Sequence, residues 1–148
     1  MTQGDHSIGK WISIIYRYGQ SYIEKRLQPY NIGSGQYIFL LILLRKDGIS
    51  QEALSNNLNI DKGTTARAIQ KLEKEGYVVR RVDTNDRRAY KIYVTDKAQQ
   101  IKPILYKVLS EWTKILGTDL TEEETTIVLS ILKRMAKNAA QFMAQHIE

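Results

Sequence analysis

The chain has 148 residues, no cysteine, 43% hydrophobic and 26% charged residues, and a formal charge of +6. That length suits one compact domain or one domain with appended helices, the composition can bury a core, and the lack of cysteine excludes disulfides, thiolate zinc sites and thiol chemistry. A basic excess favours an anionic partner, nucleic acid or a membrane surface, without specifying a fold.

Ser7 can cap a first helix, with Ile8, Trp11, Ile12, Ile15, Gly19, Tyr22 and Ile23 spaced along one face. Pro29 and the 31–33 stretch end it. Ser34 precedes the longest apolar run, residues 37–44. The run is far short of the roughly 20 residues a membrane span needs, and the first residues lack the pattern of a secretory signal. No membrane partner and a cytoplasmic location are therefore expected. A buried strand would also read this way, but the Leu-rich run in a segment too long for an average strand favours a helix to Lys46. Asp47-Gly48 stops it. Ser50 caps a short helix, Gln51–Leu58, Asn59-Ile60 is a tight connection, and Asp61 caps a helix over 62–75 that Gly76 ends. Two helices joined by so short a turn indicate helix-turn-helix.

The period then changes. Residues 77–82 and 90–95 are rich in β-branched and aromatic side chains, with a polar turn between them, which predicts a β-hairpin. Helical spacing restarts at Thr95 and runs through Ala98, Ile101, Leu105, Val108, Leu109, Trp112 and Leu116 to Gly117, with Pro103 inside and expected to bend it. Thr121 and Glu124 form a capping box. A last helix follows with Val128, Ile131, Leu132, Met135, Ala139, Phe142 and Met143 on one face. The fold class is mainly α with a small β-hairpin wing. The helices over 7–28, 95–116 and Glu122–His146 carry apolar faces that one small winged helix could not cover, which points to partner helices, with packing inside one chain as the alternative.

The basic residues are not spread evenly. Residues 61–91 hold nine basic and five acidic side chains, so most of the +6 excess lies in about a fifth of the chain. On the 62–75 helix, Thr65, Ile69, Leu72 and Gly76 share one face, while Gly63, Thr64, Arg67, Lys71 and Lys74 point away from it. Small residues at the helix start allow close approach to a major groove, and Thr and Arg supply donors for base edges and phosphates. An ordinary solvated basic face would look the same from this helix alone. The hairpin adds Arg87 and Arg88 at its turn, a wing suited to a minor groove. Asp83 and Asp86 are expected to hold those arginines by local hydrogen bonds. Alternation along the hairpin sends the two arginines to different sides. No Gly-rich phosphate loop, serine elbow or metal spacing is visible, so neither an enzyme nor a cofactor is indicated, and His6 and His146 read as solvated residues near the two ends.

The order helix-turn-helix, then Leu72-Glu73-x-x-Gly76-Tyr77-Val78-x-Arg80, then Asp83-x-Asn85-Asp86-Arg87-Arg88, then Val94-Thr95 resembles the multiple-antibiotic-resistance-regulator (MarR) family. The resemblance covers nearly the whole chain. Asn85 stands where the family's wing pattern often has its first arginine. The resemblance implies a homodimer of intertwined terminal helices (1–33 and 95–148) carrying winged helix-turn-helix lobes (34–94). It implies double-stranded DNA as partner, with recognition helices in successive major grooves of a palindromic operator, and a repressor role. The candidate DNA contacts are Lys62, Gly63, Thr64, Thr65, Arg67 and Lys71 on the helix and Asp86, Arg87 and Arg88 on the wing. Arg88 is expected in the minor groove and Asp86 as the brace of the tip. The resemblance also implies a small aromatic or anionic effector near the first two helices, for which Tyr16, Arg17 and Tyr37 are the candidate contacts. The competing reading is a winged-helix module for protein or RNA contact that does not need the basic helix face for duplex binding.

Overall fold

The computed structural model describes residues 6–146. It divides into two compact units, one up to Trp112 and one from Thr113 onward.

In the first unit, α1 (Ile8–Leu27) begins where Ser7 Oγ accepts the Lys10 N–H at 3.1 Å. A 3-10 turn, Gln28–Tyr30, follows it. α2 (Tyr37–Arg45) starts later than Ser34. The Ser34 N–H is donated to Glu24 at 2.6 Å, and the Gln36 side chain accepts the Gly33 N–H at 2.9 Å. Ser34 is thus used to fasten the turn to α1 rather than to cap α2. α3 (Gln51–Leu58) is capped by Ser50, and α4 (Lys62–Lys74) by Asp61. The turn between them passes through Asn59 in the left-handed region at φ 51°, a conformation that asparagine tolerates better than most residues. Gly76, at φ +81°, turns the chain from α4 into the hairpin; a side chain there would be strained.

β2 (Val78–Val82) and β3 (Tyr90–Val94) pair antiparallel, with Val78 opposite Val94 and Val82 opposite Tyr90. A third strand, β1 (Ile49–Ser50), joins the other edge of β3, giving the order β1-β3-β2. The hairpin expected from the sequence is therefore two-thirds of a small sheet. Tyr77, expected in the strand, precedes it. Its ring is buried and its hydroxyl donates to the Tyr30 carbonyl at 2.6 Å. α5 (Asp96–Leu116) runs unbroken through Pro103.

One core joins these elements: Leu27 of α1, Phe39, Leu40 and Leu43 of α2, Leu54 of α3, Ile69 and Leu72 of α4, Ile92 of β3, and Leu105 of α5. Burying each such aliphatic side chain is worth about 1.5–3 kcal/mol, so the orientation of α4 is fixed by its inward stripe. α1 is also clasped to α5. Gly19 lets Trp112 approach so closely that a Cβ would stand 3.0 Å from its Nε1; Tyr22 stacks on the same indole at 5.1 Å, and Arg26 pairs with Glu111.

In the second unit, α6 (Glu122–His146) opens with the capping box anticipated from the sequence. The Thr121 N–H donates to Glu124 Oε2 at 2.8 Å, and the Glu124 N–H donates to Thr121 Oγ1 at 3.1 Å. None of the described residues of α6 is buried. No helix among the described residues is long and apolar enough to cross a membrane.

Candidate nucleic-acid interface

α4 buries Thr65, Ala68, Ile69 and Leu72 and leaves Lys62, Gly63, Arg67, Lys71 and Lys74 exposed, with Thr64 half-buried. This matches the helical-face assignment except at Gly76, which lies beyond the helix and is exposed, and it corrects one candidate. Thr65 is fully buried, and its hydroxyl donates to the Asp61 carbonyl at 3.0 Å. It belongs to the inward stripe, where its hydroxyl is satisfied within the helix, and is no contact residue.

The exposed first turn is organised by Asp61. One carboxylate oxygen accepts the Thr64 N–H at 2.8 Å and the other accepts the Thr64 hydroxyl at 2.7 Å. Thr64 Oγ1 in turn accepts from Arg67 Nη2 at 3.1 Å. The Thr64 backbone hydrogen bond, above all, holds the Asp61 carboxyl below the usual carboxylate range. Lys71 lies one turn further on, towards the end of α1. Its charge helps lower the Glu24 pKa, after the larger effect of the Ser34 hydrogen bonds, and it lines a hollow of about 210 Å³ with Glu24, Asn31 and Gly33. In this conformation Lys71 is therefore directed to the α1 side of the helix.

The hairpin presents cations on both faces. Arg80 makes a two-pronged pair with Glu73 of α4 at 3.2 and 3.0 Å and sits over the Tyr90 ring. That pair lowers the Glu73 pKa and raises that of Arg80. On the opposite face, Arg81 is directly across from Lys91 and lies over the Tyr93 ring at 5.3 Å. Like charges facing each other across a sheet cost stability, so an anion would be welcome there. The sequence count included both residues but not their pairing, which only the strand register discloses.

At the tip, two sequence expectations need correcting. Arg87 and Arg88 lie in a turn closed by the Ala89 N–H to the Asp86 carbonyl at 3.0 Å, so strand alternation does not govern where they point. Asp83 and Asp86 brace the backbone, not the guanidinium groups. Asp83 Oδ1 accepts the Asn85 N–H, and Asp86 Oδ1 accepts the Arg88 N–H, both at 3.0 Å. Among the described residues, neither wing arginine forms an ion pair, and both are exposed. Each aspartate accepts the N–H two residues on, the Asx-turn habit of this side chain.

Of the effector candidates, Tyr37 is half-buried at the start of α2, and burial, then the nearby Tyr16 phenol, push its hydroxyl pKa up. The Tyr16 hydroxyl itself accepts from Gln20 on its own helix at 2.6 Å. Arg17 is separate in its bonding: its guanidinium donates to Ser13 on its own helix.

The sequence profile of the MarR family matches residues 32–90, which span α2 to the start of β3. A solved MarR transcriptional regulator from Methanosarcina mazei Go1 is 50% identical, with 92% of this chain and 98% of that one covered, at a TM-score of 0.89. The chain belongs to the MarR family. It is thereby a winged-helix transcriptional regulator. Among curated relatives, the HTH-type transcriptional regulator BilQ of Clostridioides difficile (strain CD3) is 30% identical over 70% of this chain and 70% of that protein. A MarR-family structure from Listeria monocytogenes, solved with a 26mer DNA, is 27% identical over 96% of both chains at a TM-score of 0.87.

Proposed function

We propose that this MarR-family chain binds double-stranded DNA sequence-specifically, as a homodimer on a palindromic operator, and represses transcription from it. The observation that carries the reading is the first turn of α4. There Gly63 and Thr64, at a helix N-terminus, are small enough for close approach, and Lys62 and Arg67 beside them supply donors. The Arg87–Arg88 tip and the Arg81–Lys91 pair extend the cationic surface beyond that helix. The Listeria relative's DNA complex supports the same use of the fold. Residues 34–94 act as the DNA-binding lobe, and 1–33 and 95–148 supply the dimer helices.

A small aromatic or anionic effector releases the complex by binding beside Tyr16 and Tyr37, with Arg17 as a cation that must leave Ser13 to reach it. A ligand can release DNA only by favouring a state that binds DNA less well.

Selection of bound duplexes from a random pool tests the central claim. A palindromic consensus is expected, and each wrong base pair should cost about 1–3 kcal/mol. Recovery of duplexes with no common sequence, or tighter binding to RNA or protein than to any duplex, would overturn it. Release is tested by titrating benzoate-like acids into the preformed complex.

A further inference from the structure

We propose that Asp61 is a positioning residue that sets the base preference of Arg67, by fixing the hydroxyl between them as an acceptor. The proposal rests on α4 being the recognition helix. An ionised carboxylate only accepts hydrogen bonds, and a hydroxyl has one proton and two lone pairs. The Thr64 proton is therefore committed to Asp61 Oδ2 at 2.7 Å, and its oxygen can only accept, one lone pair taking Arg67 Nη2 at 3.1 Å. A guanidinium has five N–H donors. Holding one of them leaves a second edge of Arg67 free to meet a guanine, whose O6 and N7 accept in the major groove.

Two further observations fit. A Cβ on Gly63 would stand 3.3 Å from Asp61 Oδ1 and 3.4 Å from Arg67 Nη1, so glycine gives the two charged groups room to close over the first turn. The acid is also a poor choice for DNA affinity. An N-cap needs only one oxygen, and asparagine caps as well as aspartate, without placing a negative charge beside phosphates. The cap uses Oδ1; the second oxygen accepts the Thr64 hydroxyl.

The test is duplex selection on the full-length protein and four variants, with the ratio of preferred to other bases measured at every position. Asp61→Asn keeps the cap but turns an amide donor towards Thr64, freeing the hydroxyl proton and competing with Arg67. Thr64→Val removes the hydroxyl; Thr64→Ser restores it. Arg67→Ala should lower the preference at one base pair of each half-site by about tenfold. Asp61→Asn and Thr64→Val should loosen that same position by a similar factor and leave the others alone, while Thr64→Ser keeps the wild-type profile. A merely structural cap would not move one position selectively. An unchanged preference in Asp61→Asn, with Arg67→Ala altered, overturns the proposal. So does an Arg67→Ala profile equal to wild type, although DNA recognition by α4 then still stands. If the wild-type chain selects no consensus, the recognition-helix reading falls and this one with it. Should Asp61→Asn unfold, the Thr64→Val and Thr64→Ser comparison decides.

Discussion

Asp86 puts a negative charge into the most cationic turn of the chain, which simple attraction to phosphates would disfavour. Its carboxylate instead accepts the Arg88 N–H and shapes the turn from which Arg87 and Arg88 project. Charge and shape can be separated, because asparagine forms the same turn without the charge. Asp86→Asn should therefore bind duplexes at least as tightly as wild type, whereas Asp86→Ala should bind more weakly despite losing the same charge. Affinities measured across a salt series distinguish the two. Equal gains in both variants would reduce Asp86 to a local repulsive charge. Neither substitution should change stability much, since exposed turn residues away from buried partners usually shift it by less than about 0.5 kcal/mol.

At the scale of elements, the hairpin is held to α4 by the Glu73–Arg80 pair and carries an unfavourable facing of Arg81 and Lys91 on its other side. The Glu73 pKa lies below its ordinary 4.5 because Arg80 donates to it. A carboxylate with a lowered folded-state pKa stabilises above its unfolded value, and that stability is lost as pH falls through the folded value. The stability difference between wild type and Glu73→Gln, measured by urea unfolding, should thus be present at pH 7 and vanish below the Glu73 range. Both side chains are about a third exposed or more, which limits the effect to under about 1 kcal/mol. Lys91→Gln has opposite consequences for folding and binding. Relief of repulsion should leave the hairpin as stable or more stable by about a few tenths of a kcal/mol. DNA binding should weaken, with the salt slope falling by about 0.9 if one phosphate contact is lost. A lower affinity with an unchanged slope would place Lys91 away from phosphates. The elements that were legible in the sequence are those with a repeated signal. α3, α4 and α6 announce themselves by Ser50, Asp61 and the Thr121–Glu124 box, each confirmed by its hydrogen bonds. β1 was not legible because two residues, Ile49 and Ser50, carry no period, and Ser50 already reads as a cap. Within the site, Arg67 and the wing arginines followed from spacing. The commitment of Asp61 to Thr64, the burial of the Thr65 hydroxyl and the Arg81–Lys91 register depend on distances that no spacing rule supplies.

For the whole molecule, the proposed dimer rests on apolar side chains that are exposed in one chain. α6 exposes Val128, Leu132, Phe142 and Met143 by 42–57%, and the first half of α1 exposes Ile8, Trp11, Ile12 and Ile15 by 44–58%. Exposed apolar residues scattered singly need no explanation, but stripes at helical spacing at both ends of one chain mark an interaction surface. Most soluble homo-oligomers close by two-fold symmetry, which uses the same surface on both copies. Sedimentation should therefore give about twice 17.1 kDa at micromolar concentration, and Leu132→Arg should shift the equilibrium to monomer. The proposed two-fold dimer would also dictate the operator, with its two α4 helices about 34 Å apart, one turn of the duplex, or a multiple of it. Inserting about five base pairs between the half-sites rotates one of them to the far face of the DNA and should reduce affinity towards that of a single half-site, while inserting about ten should restore the facing though not the spacing. The dimer and its geometry fail together on one result: a monomer in solution that binds an isolated half-site as tightly as the full palindrome, with no response to the insertions.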